Sequence, residues 1–245
     1  MAKRSISTHF SPVRVVLVSV RNPLNIGAAA RAMSNFGFSD LRVVNPHHIA
    51  FREAQSAVGA GELLRRAQEY ESLAEAVADC TLVVGTTAAR HRKLVHQLRS
   101  LDEGASVVRR ELSRGRVALL FGSEKRGLSN EDLSLCHWLM RIPTCEDHPS
   151  MNLGQAVAVC LYELDRGPKQ RISTAGASGA TAAELNRFSH LLLEALSVSG
   201  YAKPRDIALE QKIRRLVVRL NLSGRDLELW LGMLRQMLWK MESSR

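Results

Sequence analysis

No run of residues in this chain approaches the roughly 18 apolar residues of a membrane span. The opening Met1-Ala2-Lys3-Arg4-Ser5 also lacks an apolar signal core, so the cytoplasm is the expected location. Cysteine is sparse. Cys80, Cys136, Cys145 and Cys160 form no Cys-x-x-Cys pair and two fall inside apolar runs, which points to reduced, mostly buried thiols. Cys145-Glu146-Asp147-His148 is half of a metal site without a second ligand pair, so no metal is expected. Acidic residues are short as well: 24 Asp and Glu face 34 Lys and Arg, a formal net charge of +10. That imbalance favours a polyanionic partner, because each cation that neutralises a phosphate releases condensed counterions. Nucleic acid comes first and an anionic membrane surface second.

What is present is an ordinary globular composition. The 245 residues are 45% hydrophobic and 24% charged, enough for one domain of about 150 residues plus a smaller unit. Short β-branched runs, Val13 to Ser19, Leu41 to Val44, Thr81 to Gly85, Val117 to Phe121 and Trp138 to Ile142, have the near-continuous apolar character of strands buried on both faces of a parallel sheet. Helical spacing or composition marks Asn25 to Phe36, Ser72 to Ala78 and Ser150 to Asp165 between them. The alternation predicts an α/β domain, residues 1–166, with helices on both faces of the sheet.

Gly167 to Ala180 is rich in Gly, Ser and Ala without periodicity and reads as a flexible linker, residues 167–181. Beyond it, Thr181-Ala-Ala-Glu184 is a capping box that starts a helix at about Ala182, with Leu185, Phe188, Leu192 and Leu196 on one face. Ile213, Leu216, Val217 and Leu220 form a second apolar face, and Leu227, Trp230, Leu231, Leu234 and Leu238 a third. Residues 182–245 are therefore expected to be a small all-helical extension.

Three blocks carry candidate chemistry. Asn22-Pro23-Leu24-Asn25-Ile26-Gly27-Ala28-Ala29-Ala30-Arg31 follows the first strand, where small residues permit close backbone approach and Asn25 and Arg31 offer donors. Ligands of open α/β sheets bind at that carboxyl end, although a tightly packed, N-capped alanine-rich helix accounts for the residues equally well. Phe121-Gly122-Ser123-Glu124-Lys125-Arg126-Gly127-Leu128 follows another apolar strand; it is neither a Walker loop nor a Gly-x-Gly-x-x-Gly fingerprint, and a plain turn with a charged tip is its alternative. Pro149-Ser150-Met151-Asn152-Leu153-Gly154 leads into a helix, with Ser150 placed as N-cap and Asn152 in the first turn, where free backbone N–H groups could meet an anion or simply be capped.

Taken in order, the blocks resemble the Asn-x-Gly-x-x-x-Arg, Phe-Gly-x-Glu-x-x-Gly-Leu and Ser-x-Asn-Leu motifs of the SpoU branch of the SPOUT RNA ribose methyltransferases, over about Val13 to Leu164. The helical tail is similar to that of the TrmJ group, which modifies the tRNA anticodon loop. The resemblance implies a SPOUT fold with a C-terminal trefoil knot and S-adenosylmethionine as cofactor. It also implies methylation of a ribose 2′-hydroxyl in tRNA, at the anticodon-loop pyrimidine of position 32. Carried over by position, the cofactor residues are Thr86, Thr87, Ala88, Gly122, Glu124, Gly127, Ile142, Ser150, Met151, Asn152 and Leu153.

Arg31 is the expected essential residue. A guanidinium is protonated throughout the physiological range, so Arg31 is expected to clamp the phosphate beside the target ribose and stabilise the developing alkoxide rather than act as a base. Asn25 would orient the hydroxyl, with Asn152 or Ser150 assisting. Position 19 departs from the family: Ser19 stands where many members carry an acidic residue.

RNA is the expected partner. Lys212, Arg215 and Arg219 share one helical face, and Arg90, Arg92 and Lys93 flank His91 in a basic stretch after the third strand. A solvated cationic face and a charged turn are the respective alternatives. The family resemblance further implies a homodimer in which one subunit completes the other's site. Rival functions are the same reaction on ribosomal RNA, a non-catalytic RNA-binding homologue, and a nucleotide-binding dehydrogenase, the last disfavoured by the missing glycine fingerprint.

Overall fold

The computed structural model describes residues 12–46, 61–88, 95–167, 179–203 and 206–243. Among them, β1 (Val13–Val18), β2 (Asp40–Val44), β3 (Gln68–Tyr70), β4 (Leu82–Thr86), β5 (Leu98–Ser100), β6 (Val117–Phe121) and β7 (Trp138–Arg141) pair in one parallel sheet of order β3-β2-β1-β6-β4-β7-β5. Strict alternation along β1 sends Val13, Val15 and Leu17 to one face and Val16 and Val18 to the other, each face closing its own apolar core. A strand packed on both sides must be apolar throughout, which is why β1, β6 and β4 stand out in the sequence.

The edge strands β3 and β5 do not stand out. They are three residues each and largely polar, as short edge strands that resist pairing with another chain tend to be.

One face of the sheet carries α1 (Pro23–Phe36), α4 (Leu101–Glu111) and α6 (Leu153–Arg166), and α2 (Gly61–Arg65) adds Leu64 to that core. The other face carries α3 (Leu73–Ala76) and α5 (Asn130–Ser134). Helices α2, α4 and α5 have no counterpart in the sequence reading: α2 and α5 are five residues each, and that reading passes over the α4 stripe of Leu101, Ala105 and Val108. Helices α1 and α6 run side by side: an added Cβ at Gly154 would lie 2.5 Å from the Ala28 Cβ, and the Phe36 and Tyr162 rings meet at 6.0 Å. The α6 cap corrects an expectation. Asn152, not Ser150, is the N-cap, its Oδ1 accepting from the Gly154 and Gln155 N–H groups at 2.9 and 3.4 Å, so Asn152 lies before the helix and not within its first turn.

Three helices follow: α7 (Ala182–Val198), α8 (Ile207–Arg219) and α9 (Gly224–Glu242). They close a separate core of Leu185, Phe188, Val217, Leu227, Leu231, Leu234 and others. Leu216, Leu220 and Trp230, expected on buried faces, are 42%, 47% and 42% exposed, because three helices make a core only about one stripe wide. Residues 168–178 of the expected linker lie outside the described residues. Its end is tied down, with Gly179 bridged to Ser223, the Ala180 N–H donating to Leu222 at 3.1 Å, and Thr181 forming the α7 capping box with Glu184. The Ala182 and Ala183 N–H groups donate to the Cys80 and Ala78 carbonyls, at 2.8 and 3.1 Å, which fastens the helical unit to the α/β domain. Among the described residues, no helix is long and apolar enough to cross a membrane.

Candidate functional site

In a parallel sheet the loops leaving β1, β4, β6 and β7 all emerge at one edge, so segments remote in the chain meet there. Three of them are joined by side chains. Asn152 Nδ2 donates to Asn25 Oδ1 at 2.8 Å, and Asn25 Nδ2 donates to Glu124 Oε1 at 2.8 Å. Asn25 is 8% exposed and gives its carbonyl oxygen to one neighbour and an N–H to another, which fixes its amide orientation. The cap oxygen of Asn152 holds that residue in turn, so the chain Asn152–Asn25–Glu124 is braced by the start of α6.

Beneath this chain is a cavity of about 360 Å³. Thr86, Thr87, Ala88, Gly122, Glu124, Gly127, Ile142, Ser150, Met151 and Leu153 all line it, together with Pro149 and Leu128. Of the residues assigned to the cofactor, Asn152 alone is outside the lining, and it meets the site through Asn25. The loop after β6 folds back on itself: the Gly127 N–H donates to the Ser123 carbonyl at 2.7 Å, and a Cβ at Gly122 would stand 2.2 Å from the Gly127 carbonyl carbon. Gly127 itself has φ +65°, a backbone region that side chains disfavour.

A second, larger cleft of about 1410 Å³ adjoins the first, the two sharing the wall Ser123 to Gly127. Its floor includes Ser19 and Asn45, which end β1 and β2 at φ +53° and +50°. Each makes one last ladder bond, Ser19 N–H to Val44 and Asn45 N–H to Tyr70, before the chain turns away. Non-glycine residues in this region cost about 1 kcal/mol or more each, strain of a kind that collects at functional edges.

Across the cleft stand Gln211 and Arg215 of α8, and His96 lies at the seam. Burial, and then the charge of Arg215 and of Arg219, hold the His96 imidazole below its ordinary pKa. Sequence reading missed Arg21, Asn45, His96 and Gln211. Only Asn45-Pro46 after a strand hinted at a turn, and nothing local marks a cleft formed between two units.

Arg31 is the exception among the expected catalytic residues. It lies on the exposed side of α1, between the Ala28 and Phe36 contacts with α6, and lines neither cavity. Of the expected RNA-contact residues, Arg215 lines the cleft while Lys212 and Arg219 are exposed and do not. Arg90, Arg92 and Lys93, with His91, lie outside the described residues. No group of three or more His, Cys, Asp or Glu able to hold a metal occurs among the described residues.

Comparisons with known proteins show the family. The SpoU rRNA Methylase family profile matches residues 12–162. The tRNA (cytidine/uridine-2'-O-)-methyltransferase TrmJ of Sodalis glossinidius is 34% identical over 229 residues, covering 91% of this chain and 89% of that protein. Among solved structures, TrmJ from Z. mobilis ZM4 is similar with a TM-score of 0.79 at 30% identity, covering 91% of this chain and 98% of that one. A structure described as giving insights into the 2-OH methylation of C/U34 on tRNA has a TM-score of 0.50 at 26% identity and covers 63% of this chain and 94% of that one.

Proposed function

We propose, from the premise that this chain belongs to the SpoU rRNA methylase family, that it transfers a methyl group from S-adenosylmethionine to a ribose 2′-hydroxyl of tRNA. The observation that carries the proposal is the hydrogen-bonded chain Asn152–Asn25–Glu124 at the mouth of the smaller cavity. That cavity falls within the roughly 300–1,000 Å³ of small-molecule pockets. Its glycine-tightened loop and the threonines at the end of β4 offer backbone groups to an adenosine, and Glu124 offers a carboxylate to a cation. When bound, S-adenosylmethionine supplies an electrophilic methyl on a sulfonium centre.

The chain's own residues position and neutralise. Glu124 lines both cavities, and Asn25 occupies one of about four lone-pair sites on its carboxylate. The remaining sites can accept the hydrogen of a 2′-hydroxyl presented from the larger cleft. Asn25 and Asn152 hold that carboxylate in place, and Ser150 closes the wall beside them. Preset donors and acceptors of this kind lower a barrier because they need not reorganise as charge develops.

Arg31 acts, in this reading, from the partner subunit of a homodimer, clamping the phosphate next to the target ribose. The support is its place on the outer α1–α6 face, where Leu24 is 77% and Tyr162 55% exposed. The reading also includes a trefoil knot, supported by the family resemblance. The cytoplasm is the location, and the pyrimidine at position 32 of the anticodon loop the target. The target position rests on the resemblance of the helical tail to the TrmJ group, and the Z. mobilis TrmJ is similar along 91% of this chain.

Incubating the protein with labelled S-adenosylmethionine and unmodified tRNA or ribosomal RNA, then mapping ribose methylation by mass spectrometry, tests the whole proposal. Methyl groups on ribosomal RNA alone, or none anywhere, would refute it. Mixing inactive Arg31→Ala with inactive Glu124→Ala should restore about a quarter of wild-type activity, because half of the dimers would then hold one complete site. No recovery would place Arg31 outside the neighbouring site.

A further inference from the structure

The larger cleft is assembled by both units of the chain. Arg21, Lys125 and Arg126 line it from the α/β domain, and Arg215, beside Gln211, lines it from the extension. Arg215 and Arg219 also press on His96, whose Nε2 is buried without a hydrogen-bond partner. Cations from both hydrophobic cores thus line one cleft. Glu124, Glu131 and Asp132 of the same cleft compensate only in part. Like charges across a seam repel until an anion lies between them, and a chain of phosphates spaced along a strand supplies several at once. The cleft is larger than a small ligand needs and shares with the smaller cavity the wall that carries Glu124.

We propose that this cleft is a clamp for the single-stranded loop of the RNA substrate, closed within one subunit, in which Arg215 of the extension and Arg21 of the α/β domain hold the same stretch of backbone and so position the target ribose at Glu124. The extension is then a wall of the substrate site rather than a detached RNA-binding appendage. This inference rests on the RNA-methylating reading above. Arg21 and Arg215 are positioning residues, acting on phosphates and not on the reacting atoms.

The test is binding of a fluorescently labelled tRNA anticodon stem-loop to the full-length protein across a salt series. Arg215→Ala and Arg21→Ala should each raise Kd about fivefold or more and flatten the slope of log Kd against log salt by about 0.7, the value for one phosphate of a single strand. The double variant should lose less than the product of the two single losses, because the residues share one segment of backbone. In turnover, Arg215→Ala should raise KM about as much as it raises Kd and lower kcat as well, since the target ribose is then less well placed. Arg225→Ala, on the exposed start of α9 and outside the cleft, is the control and should bind like wild type.

If Arg215→Ala stays within twofold of wild type, or Arg225→Ala loses as much, the clamp is wrong. Calorimetry with S-adenosylmethionine runs in parallel. Retained cofactor and RNA binding with an indifferent Arg215→Ala overturns the clamp alone, whereas a wild-type protein that binds neither RNA nor cofactor overturns the methyltransferase reading with it.

Discussion

At the amino-terminal ends of the strands, Asp79 is held by Arg42 through two hydrogen bonds of 2.6 and 3.0 Å, by Arg14 at 3.2 Å and by Arg116 at 3.0 Å, while Asp40 takes up the remaining reach of Arg14 and Arg42. At the carboxyl ends of the same strands, Asn152, Asn25 and Glu124 form an equally well-made chain, but it opens onto two cavities, beside backbone held at positive φ and cations lining a cleft. Both clusters are polar and partly buried. Their surroundings separate them: at the first end Asp79 and Asp40 bond Arg14, Arg42 and Arg116 inside the fold, and at the second Asn25 and Glu124 line cavities. Stability should therefore depend on the first end and activity on the second.

The largest expected effect lies at the open end. Glu124→Ala or Asn25→Ala should cut kcat/KM for tRNA about 10³-fold, roughly 4 kcal/mol of barrier, while leaving the unfolding midpoint in urea nearly unchanged. A large loss of stability instead would show that the chain of amides is a structural brace and erase the contrast.

Asp79→Ala should do the reverse. It leaves two nearly buried guanidinium groups, Arg14 and Arg42 at 3% and 6% exposed, sharing the single carboxylate of Asp40, and should cost about 3 kcal/mol of unfolding free energy, with activity per folded molecule retained. Chemical denaturation and a cofactor-binding titration on the same samples check both halves.

Acid should sharpen the difference further. Burial pushes His137 down to about 4, and its Nδ1 accepts the Val83 N–H at 3.1 Å. A folded pKa below the unfolded value of about 6.5 means that the unfolded chain binds the extra proton first, so this contribution is complete above about pH 6.5 and lost as pH falls toward 4. Residual exposure of the residue limits the loss to about 2 kcal/mol, and His137→Gln should flatten the stability curve there. Burial would raise the Asp79 carboxyl, yet the hydrogen bond and charge of Arg42 and then of Arg14 hold it well below the usual carboxylate range. Its contribution is present above the ordinary carboxylate pKa and drains away at still lower pH. Stability that is flat from pH 7 to 4 would contradict the His137 assignment, and stability that is flat below about pH 4 the Asp79 one.

The smallest effect belongs to the exposed pair of Arg65 and Glu62, 65% and 64% exposed at 2.7 Å. Arg65→Ala should leave the melting temperature where it is, since solvent screens such pairs.

Much of the architecture is legible in the residues. Burial on both faces demands uninterrupted apolar strands, so Val13–Val18, Val117–Phe121 and Leu82–Thr86 declare themselves and the parallel α/β sheet follows. The capping box at Thr181 and Glu184 marks the start of α7, since one helix turn suffices to read it. Residue type and position singled out Asn25 and Asn152, and the family resemblance singled out Glu124, one block at a time. Three matters were decided only in three dimensions: the edge strands at Gln68 and Leu98, the hydrogen bonds that join those blocks, and the cleft between Arg21 and Arg215. The physical reason is range. Periodicity and capping act over a few residues, whereas the bond from Asn152 to Asn25 spans 127 positions and exists only once the sheet has brought its carboxyl ends together.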